Sequence, residues 1–291
     1  MKDLPKKVIL HDVSPRDGLQ SIKQELSIAQ KIELINDLSD AGLPSIEIGA
    51  FVNKDAVPQL ADTDEVFSAL KDHPDCVYSA LLANQQGMQR ALQSGVKKVA
   101  LLTAASETFC KKNTHCTIAE SIQRIHALVP LAKQQGVLVR VYISCSFFCP
   151  YEGEINSDSV LAMVKQLWSL GIDEIALADT PGQATAWQVS RLVKQCLAHV
   201  PAEHIALHFH DTYGQALANI YASLQLGIST VDSSIAGLGG CPYAPGASGN
   251  VATEDLLYLL QGLDIESGVD MGKLIIAGED ICQALGRNTQ S

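Results

Sequence analysis

Apolar and polar positions alternate in a repeating order along this chain. A stretch with helical spacing ends at a glycine, and a short β-branched run follows. The glycines and runs are Gly42 before SIEIGA, Gly95 before VKKVALL, Gly136 before VLVRVYIS, Gly171 before IDEIALAD and Gly227 before ISTVDSS. Glycine just past a helix is the left-handed stop signal, and a strand directly after it marks a helix returning to a parallel sheet. Three further runs, VILHDV (8–13), CVYSALL (76–82) and HIALHFHD (204–211), complete a set of eight. The spacing predicts a helix over 27–41, with Ile28, Ile32, Ile35 and Leu38 on one face behind a Ser27 cap. Another is predicted over 214–226, facing inward through Leu217, Ile220, Tyr221 and Leu224. From Gly42 to Gly227 is 185 residues, which over six units is about 31 each, the size of a βα repeat.

Eight strands alternating with helices predict an α/β fold, a (β/α)8 TIM barrel. An open doubly wound sheet is disfavoured, because no G-x-G-x-x-G turn follows the first strand. TEDLLYLLQGL and MGKLIIAGEDICQAL, within about 252–291, read as extra C-terminal closing helices, so residues 1–291 are expected to form a single catalytic domain. Hydrophobic residues make up 47 % of the chain but aromatics only 5 %, which predicts an aliphatic core. A formal charge of −11 without a basic stripe argues against a nucleic-acid partner. The N-terminus leaves no room for a targeting peptide, and no apolar stretch approaches the ~20 residues a membrane span requires. The eight cysteines contain no C-x-x-C pair and no disulfide-framework spacing. A cytoplasmic protein, assembled as a homodimer or higher homo-oligomer, is expected.

In such a barrel the chemistry lies at the C-terminal ends of the strands. The first strand runs into Arg16, Asp17 and Gln20, the second carries Glu47, the third runs on to Asn84, and the sixth ends at Asp179. In the seventh, His208 and His210 are two residues apart, so both imidazoles point to one face while Phe209 points to the other. Two convergent imidazoles, with Asp17 and Asn250 at the same mouth, form a ligand set for a divalent ion such as Mg²⁺ or Mn²⁺. Arg16 donates in a planar fork suited to a developing oxyanion, with Glu47 to hold it. The stretch Gly237–Asn250, GLGGCPYAPGASGN, sets five glycines around Cys241. Ordering so much glycine costs backbone entropy, and a mobile loop carrying a thiol over a metal ion gives that composition a reason. Asp179 also fits a turn that caps the next helix. Lys111 and Lys112 fit a solvated face or a phosphate contact. Cys145 and Cys149 read as packing residues. Gln20, Asn84, Asp179, Lys111 and Lys112 are the candidate substrate contacts.

The blocks PRDGLQ (15–20), FVNKDAVPQLAD (51–62), AASETFCKKN (104–113), CPYEGE (149–154), HFHDTYGQALAN (208–219), VDSSIAGLGGCPYAPGASGN (231–250), ATEDL (252–256) and ICQAL (281–285) cover nearly the whole chain. Through them the sequence resembles the 3-hydroxy-3-methylglutaryl-CoA lyase family, within the metal-dependent lyases built on TIM barrels. The resemblance implies cleavage of 3-hydroxy-3-methylglutaryl-CoA, an acyl-CoA thioester, to acetoacetate and acetyl-CoA. It further implies that Asp17, His208, His210 and Asn250 hold the cation and that Arg16 stabilises the thioester enolate. Glu47 would orient Arg16, and Cys241 would protonate the enolate carbon. His208, or Asp17 through a water, would accept the hydroxyl proton. Two departures stand out: Ala50 occupies a position where the family commonly has Ser, and Ser21-Ile22-Lys23-Gln24 replaces the usual Asn-Glu. Many members continue beyond the position of Ser291, some with a regulatory cysteine, so no thiol switch is expected there. Three rivals follow: the same chemistry on a longer 3-hydroxy-3-alkylglutaryl-CoA, a Claisen-condensing enzyme of the isopropylmalate or homocitrate synthase type, and a non-catalytic acyl-CoA-binding barrel.

Overall fold

The eight runs form strands that pair side by side and close on themselves. The computed structural model describes residues 4–54, 57–240 and 249–291. The strands are β1 (Ile9–Asp12), β2 (Ser45–Phe51), β3 (Val77–Leu82), β4 (Lys98–Ala104), β5 (Leu138–Ser144), β6 (Glu174–Asp179), β7 (Ile205–Phe209) and β8 (Thr230–Ser233). They pair in parallel in chain order, and β8 closes the barrel on β1 with Ile9 opposite Thr230. The five glycines singled out all have positive φ, between 68° at Gly136 and 94° at Gly227. A side chain there would be strained.

Helices α1 (Ile28–Asp40), α2 (Thr63–Ala69), α3 (Gln85–Gln93), α4 (Glu107–Thr114), α5 (Ile118–Gln134), α6 (Ser157–Trp168), α7 (Ala186–Leu197) and α8 (Ala216–Leu224) surround the strands. Then α9 (Thr253–Gly262) and α10 (Met271–Ala284) follow β8, within the stretch read as closing helices. Ser27 caps α1 in a reciprocal box with Gln30.

Two helix faces differ from the periodicity. In α1 the buried stripe runs through Lys31, Leu34, Ile35 and Leu38, with Ile28 and Ile32 only half-buried. Lys31 is tolerated inside because its ammonium donates to Gln59 O and to both Asp62 oxygens, at 2.6–2.7 Å. In α8, Tyr221 is exposed and the buried stripe is Ala216, Asn219, Ile220, Ser223 and Leu224. Small side chains there let α8 pack against α7, and Asn219 Nδ2 donates to Ala184 O at 2.8 Å.

The aliphatic core lies between strands and helices, as the composition predicts, but the barrel interior is different. Alternate residues of β5 divide cleanly: Val139, Val141 and Ile143 join the outer core, while Arg140 and Tyr142 point inward. Ala50, Ala100, Ala176 and Ala206 share the inner layer with Tyr142 and Leu81. Their small side chains leave room for charged residues within the barrel.

Candidate active site

The site begins where β1 ends. Ser14–Gly18 forms one turn of π-helix, a rare geometry often found at functional positions. It turns Arg16 and Asp17 into the barrel mouth. Arg16 Nε pairs with Glu47 Oε1, and Arg16 Nη1 with Asp17 Oδ1. Glu47 lies in the regular part of β2, opposite Ser79, and a register shift follows between Glu47 and Gly49. Residues three apart on a regular strand face opposite sides. The bulge lets both Glu47 and Ala50 face inward.

Strand β7 supplies the imidazoles. His208 and His210 both enter the mouth, their ring centroids 5.5 Å apart, while Phe209 packs outward on Phe147. Asp17, His208 and His210 offer one ligand atom each, all within 4.8 Å of one another, the only such group of His, Cys, Asp and Glu among the described residues. Asp17 Oδ2 lies 3.7 Å from His210 Nε2 and 4.0 Å from His208 Nε2. Asn250 pairs with His210 across a backbone bridge and donates from Nδ2 to Asp17 Oδ2 at 2.8 Å. A carboxylate, two imidazoles and an amide gathered in one place suit a divalent cation. Cys241 falls outside the described residues.

Burial opposes ionisation of Asp17, but the Arg16 guanidinium beside it holds its carboxyl well below the usual carboxylate range. Burial likewise disfavours charge on Arg16, and Glu47 and Asp17 more than offset it, so the guanidinium stays charged. Sequence reasoning missed what lies beneath. Tyr142 stands with its OH 3.1 Å from Asp232 and 3.4 Å from Glu47, and Arg140 pairs with both Asp232 and Glu174. Strand alternation in β5 and β8 was the available signal, since charged inward positions on a barrel strand require partners.

The mouth opens into a cavity of about 330 Å³ lined by Arg16, Asp17, His208 and His210, with an apolar wall that includes Ala50, Leu60 and Leu102. Gln20 and Asn84 line it, and Asn84 also caps α3 by accepting from Gly87 N at 2.8 Å. Three proposed contacts lie elsewhere. Asp179 is fully buried on the helix-facing side of β6, accepting from Gln183 N and Ala184 N at 3.2 and 2.8 Å. Its neighbours Ala178 and Thr180 line the cavity instead. So Asp179 caps a turn, and burial pushes its carboxyl up to about 6. Lys111 lies on the exposed face of α4, paired with Glu107 at 3.2 Å. Lys112, also exposed, has its ammonium 4.6 Å from the Tyr151 ring. Cys145 and Cys149 are buried in an apolar cluster with Phe109, as packing residues would be. No helix among the described residues is long and apolar enough to cross a membrane.

The profile of the HMGL-like family matches residues 7–281. A curated relative from Pseudomonas aeruginosa, named 3-hydroxy-3-isohexenylglutaryl-CoA/hydroxy-methylglutaryl-CoA lyase, is 51 % identical over 289 residues, covering 99 % of this chain and 96 % of the relative. The crystal structure of hydroxymethylglutaryl-CoA lyase from Pseudomonas aeruginosa is similar with a TM-score of 0.96 at 51 % identity, over 99 % of this chain and 96 % of that one. An HMG-CoA lyase from Acinetobacter baumannii, solved with coenzyme A and 3-methylmalate, has a TM-score of 0.95 at 37 % identity, over 100 % of this chain and 95 % of that one.

Proposed function

The chain belongs to the HMGL-like family, and from that premise we propose how its own residues carry out the family's reaction. It is a carbon–carbon lyase that cleaves 3-hydroxy-3-methylglutaryl-CoA to acetoacetate and acetyl-CoA. The observation that carries the assignment of residues is the convergence of Asp17, His208 and His210 within 4.8 Å, beside the buried Arg16–Glu47 pair.

Cleavage of the C2–C3 bond turns the C3 hydroxyl into the ketone of acetoacetate and leaves the electron pair on C2 as the thioester enolate. Asp17, His208, His210 and Asn250 hold a divalent cation, Mg²⁺ or Mn²⁺, matching their mixed oxygen and nitrogen donors. When bound, the cation supplies the positive charge that makes the C3 hydroxyl acidic. Asp17, through a water, accepts the hydroxyl proton, because His208 commits one ring nitrogen to the cation and the other to Asp232. Arg16 faces the thioester oxygen and stabilises its developing charge, while Glu47 fixes the guanidinium plane. Cys241 delivers the proton that converts the enolate to acetyl-CoA. Gln20 and Asn84, on the cavity wall, contact the acyl-CoA.

A homo-oligomer in the cytoplasm is the setting we favour; the cysteines show no disulfide-framework spacing, which suits a reducing compartment. The test is to incubate the protein with 3-hydroxy-3-methylglutaryl-CoA, with and without EDTA, and assay acetoacetate. We expect acetoacetate and acetyl-CoA in equal amounts, loss of both with EDTA, and recovery on adding Mg²⁺ or Mn²⁺. Turnover indifferent to EDTA would reject the metal centre.

A further inference from the structure

Beneath the candidate metal centre lies a carboxylate that no motif singled out. Strand β8 sets Asp232 in register with His208 on β7, one strand away. Its side chain is 1 % exposed, yet three donors converge on it. His208 Nδ1 and the Tyr142 hydroxyl each lie 3.1 Å from Oδ2, and Arg140 Nη2 meets Oδ1. Arg140 is itself fully buried and also pairs with Glu174 at 2.9 Å. A guanidinium that cannot lose its proton keeps its carboxylate partner ionised.

An ionised carboxylate has no proton to give, so the proton in the 3.1 Å contact sits on His208 Nδ1, and the lone pair is left on Nε2. Asp17 is the competing anion for that single proton. It lies 4.0 Å from Nε2, beyond hydrogen-bond reach, so Asp232 wins on distance. His210 has no comparable anchor among the described residues: its Nδ1 is buried with no hydrogen-bond partner among them, and its Nε2 is 3.7 Å from Asp17.

We infer that Asp232 is a positioning residue that fixes the ring orientation and Nδ1–H tautomer of His208, so that Nε2 is presented to the cation. The inference rests on the ligand role proposed for His208. Without Asp232, Asp17 becomes the nearest anion and draws the proton onto Nε2, the atom that has to ligate. Partners of this kind contribute about 10- to 100-fold to metal affinity.

The experiment titrates Mn²⁺ into the metal-free full-length chain, unsubstituted and Asp232→Asn, by calorimetry. We expect the folded variant to bind about 10- to 100-fold more weakly. Asparagine leaves Arg140 short of one negative charge, so circular dichroism checks the fold. An independent measurement avoids the variant: ¹⁵N-histidine spectra of the unsubstituted metal-free protein, with His208 assigned through its loss in His208→Gln. His208 should carry its proton on Nδ1. An Nε2–H tautomer, or a folded Asp232→Asn that binds Mn²⁺ within about twofold of the parent, overturns the role of Asp232. Failure of the unsubstituted chain to bind Mn²⁺ would instead remove the metal centre itself.

Discussion

Replacing Glu254 with glutamine should change how the stability of this protein depends on pH. Glu254 begins α9 with 8 % exposure, and both carboxylate oxygens accept from Ala236 N, at 2.9 and 3.0 Å. Ala236 is left-handed at φ 52° and stands at the root of the glycine-rich stretch, so the contact holds a strained turn in place. Burial is the main cause that raises the carboxyl from 4.5 to about 7, and the nearby Asp12 adds repulsion. Between those values the folded chain holds a proton that the unfolded chain has released. Stability therefore falls as pH rises from 4.5 to about 7, and the loss is complete above that. At about 1.4 kcal/mol per pH unit, the window corresponds to about 3 kcal/mol. Glutamine keeps an oxygen for Ala236 and cannot ionise. Urea unfolding in EDTA, followed by circular dichroism at pH 5 and pH 8, tests the reasoning. The variant should match its parent near the acid end and exceed it by about 3 kcal/mol at pH 8. A gap between the two proteins that does not change with pH would refute a shifted Glu254.

Arg16→Met should lower kcat by about 10²- to 10³-fold, the usual cost of removing an oxyanion donor, and destabilise the fold by about 3–5 kcal/mol by leaving Glu47 buried without its cation. An effect confined to KM in steady-state kinetics would count against the oxyanion role. His210→Ala should bind Mn²⁺ at least about tenfold more weakly, because a direct ligand matters no less than the residues that support one; unchanged stoichiometry and affinity in a calorimetric titration would reject it as a ligand. Cys241→Ser should still bind substrate but lose most turnover, a hydroxyl being a far weaker proton donor than a thiol, and a near-native rate of acetyl-CoA release would exclude the thiol.

Much of this architecture was legible in local patterns. Glycine after a helix and a β-branched run after the glycine located five of the strands, and apolar runs alone located the other three, because these signals act within a few residues. The two-residue spacing of His208 and His210 put their rings on one face for the same reason. Closure of the barrel decided the rest. LADTPG does not show which side of β6 is the inside, and Asp179 faces the helices rather than the mouth. A bulge at Ile48 reverses the alternation that would separate Glu47 from Ala50, and nothing in the residue types there signals the extra residue. Asp232 lies 24 positions from His208 and 92 from Arg140; the register of β7 and β8 brings the first two together, and Arg140 reaches Asp232 from β5 across the barrel interior. Periodicity is a property of one element and its own axis, whereas a buried ion network depends on where other elements are placed across the barrel. The candidate ligand types were therefore written in the chain, and the carboxylate proposed to orient one of them is placed beside it by the folded sheet.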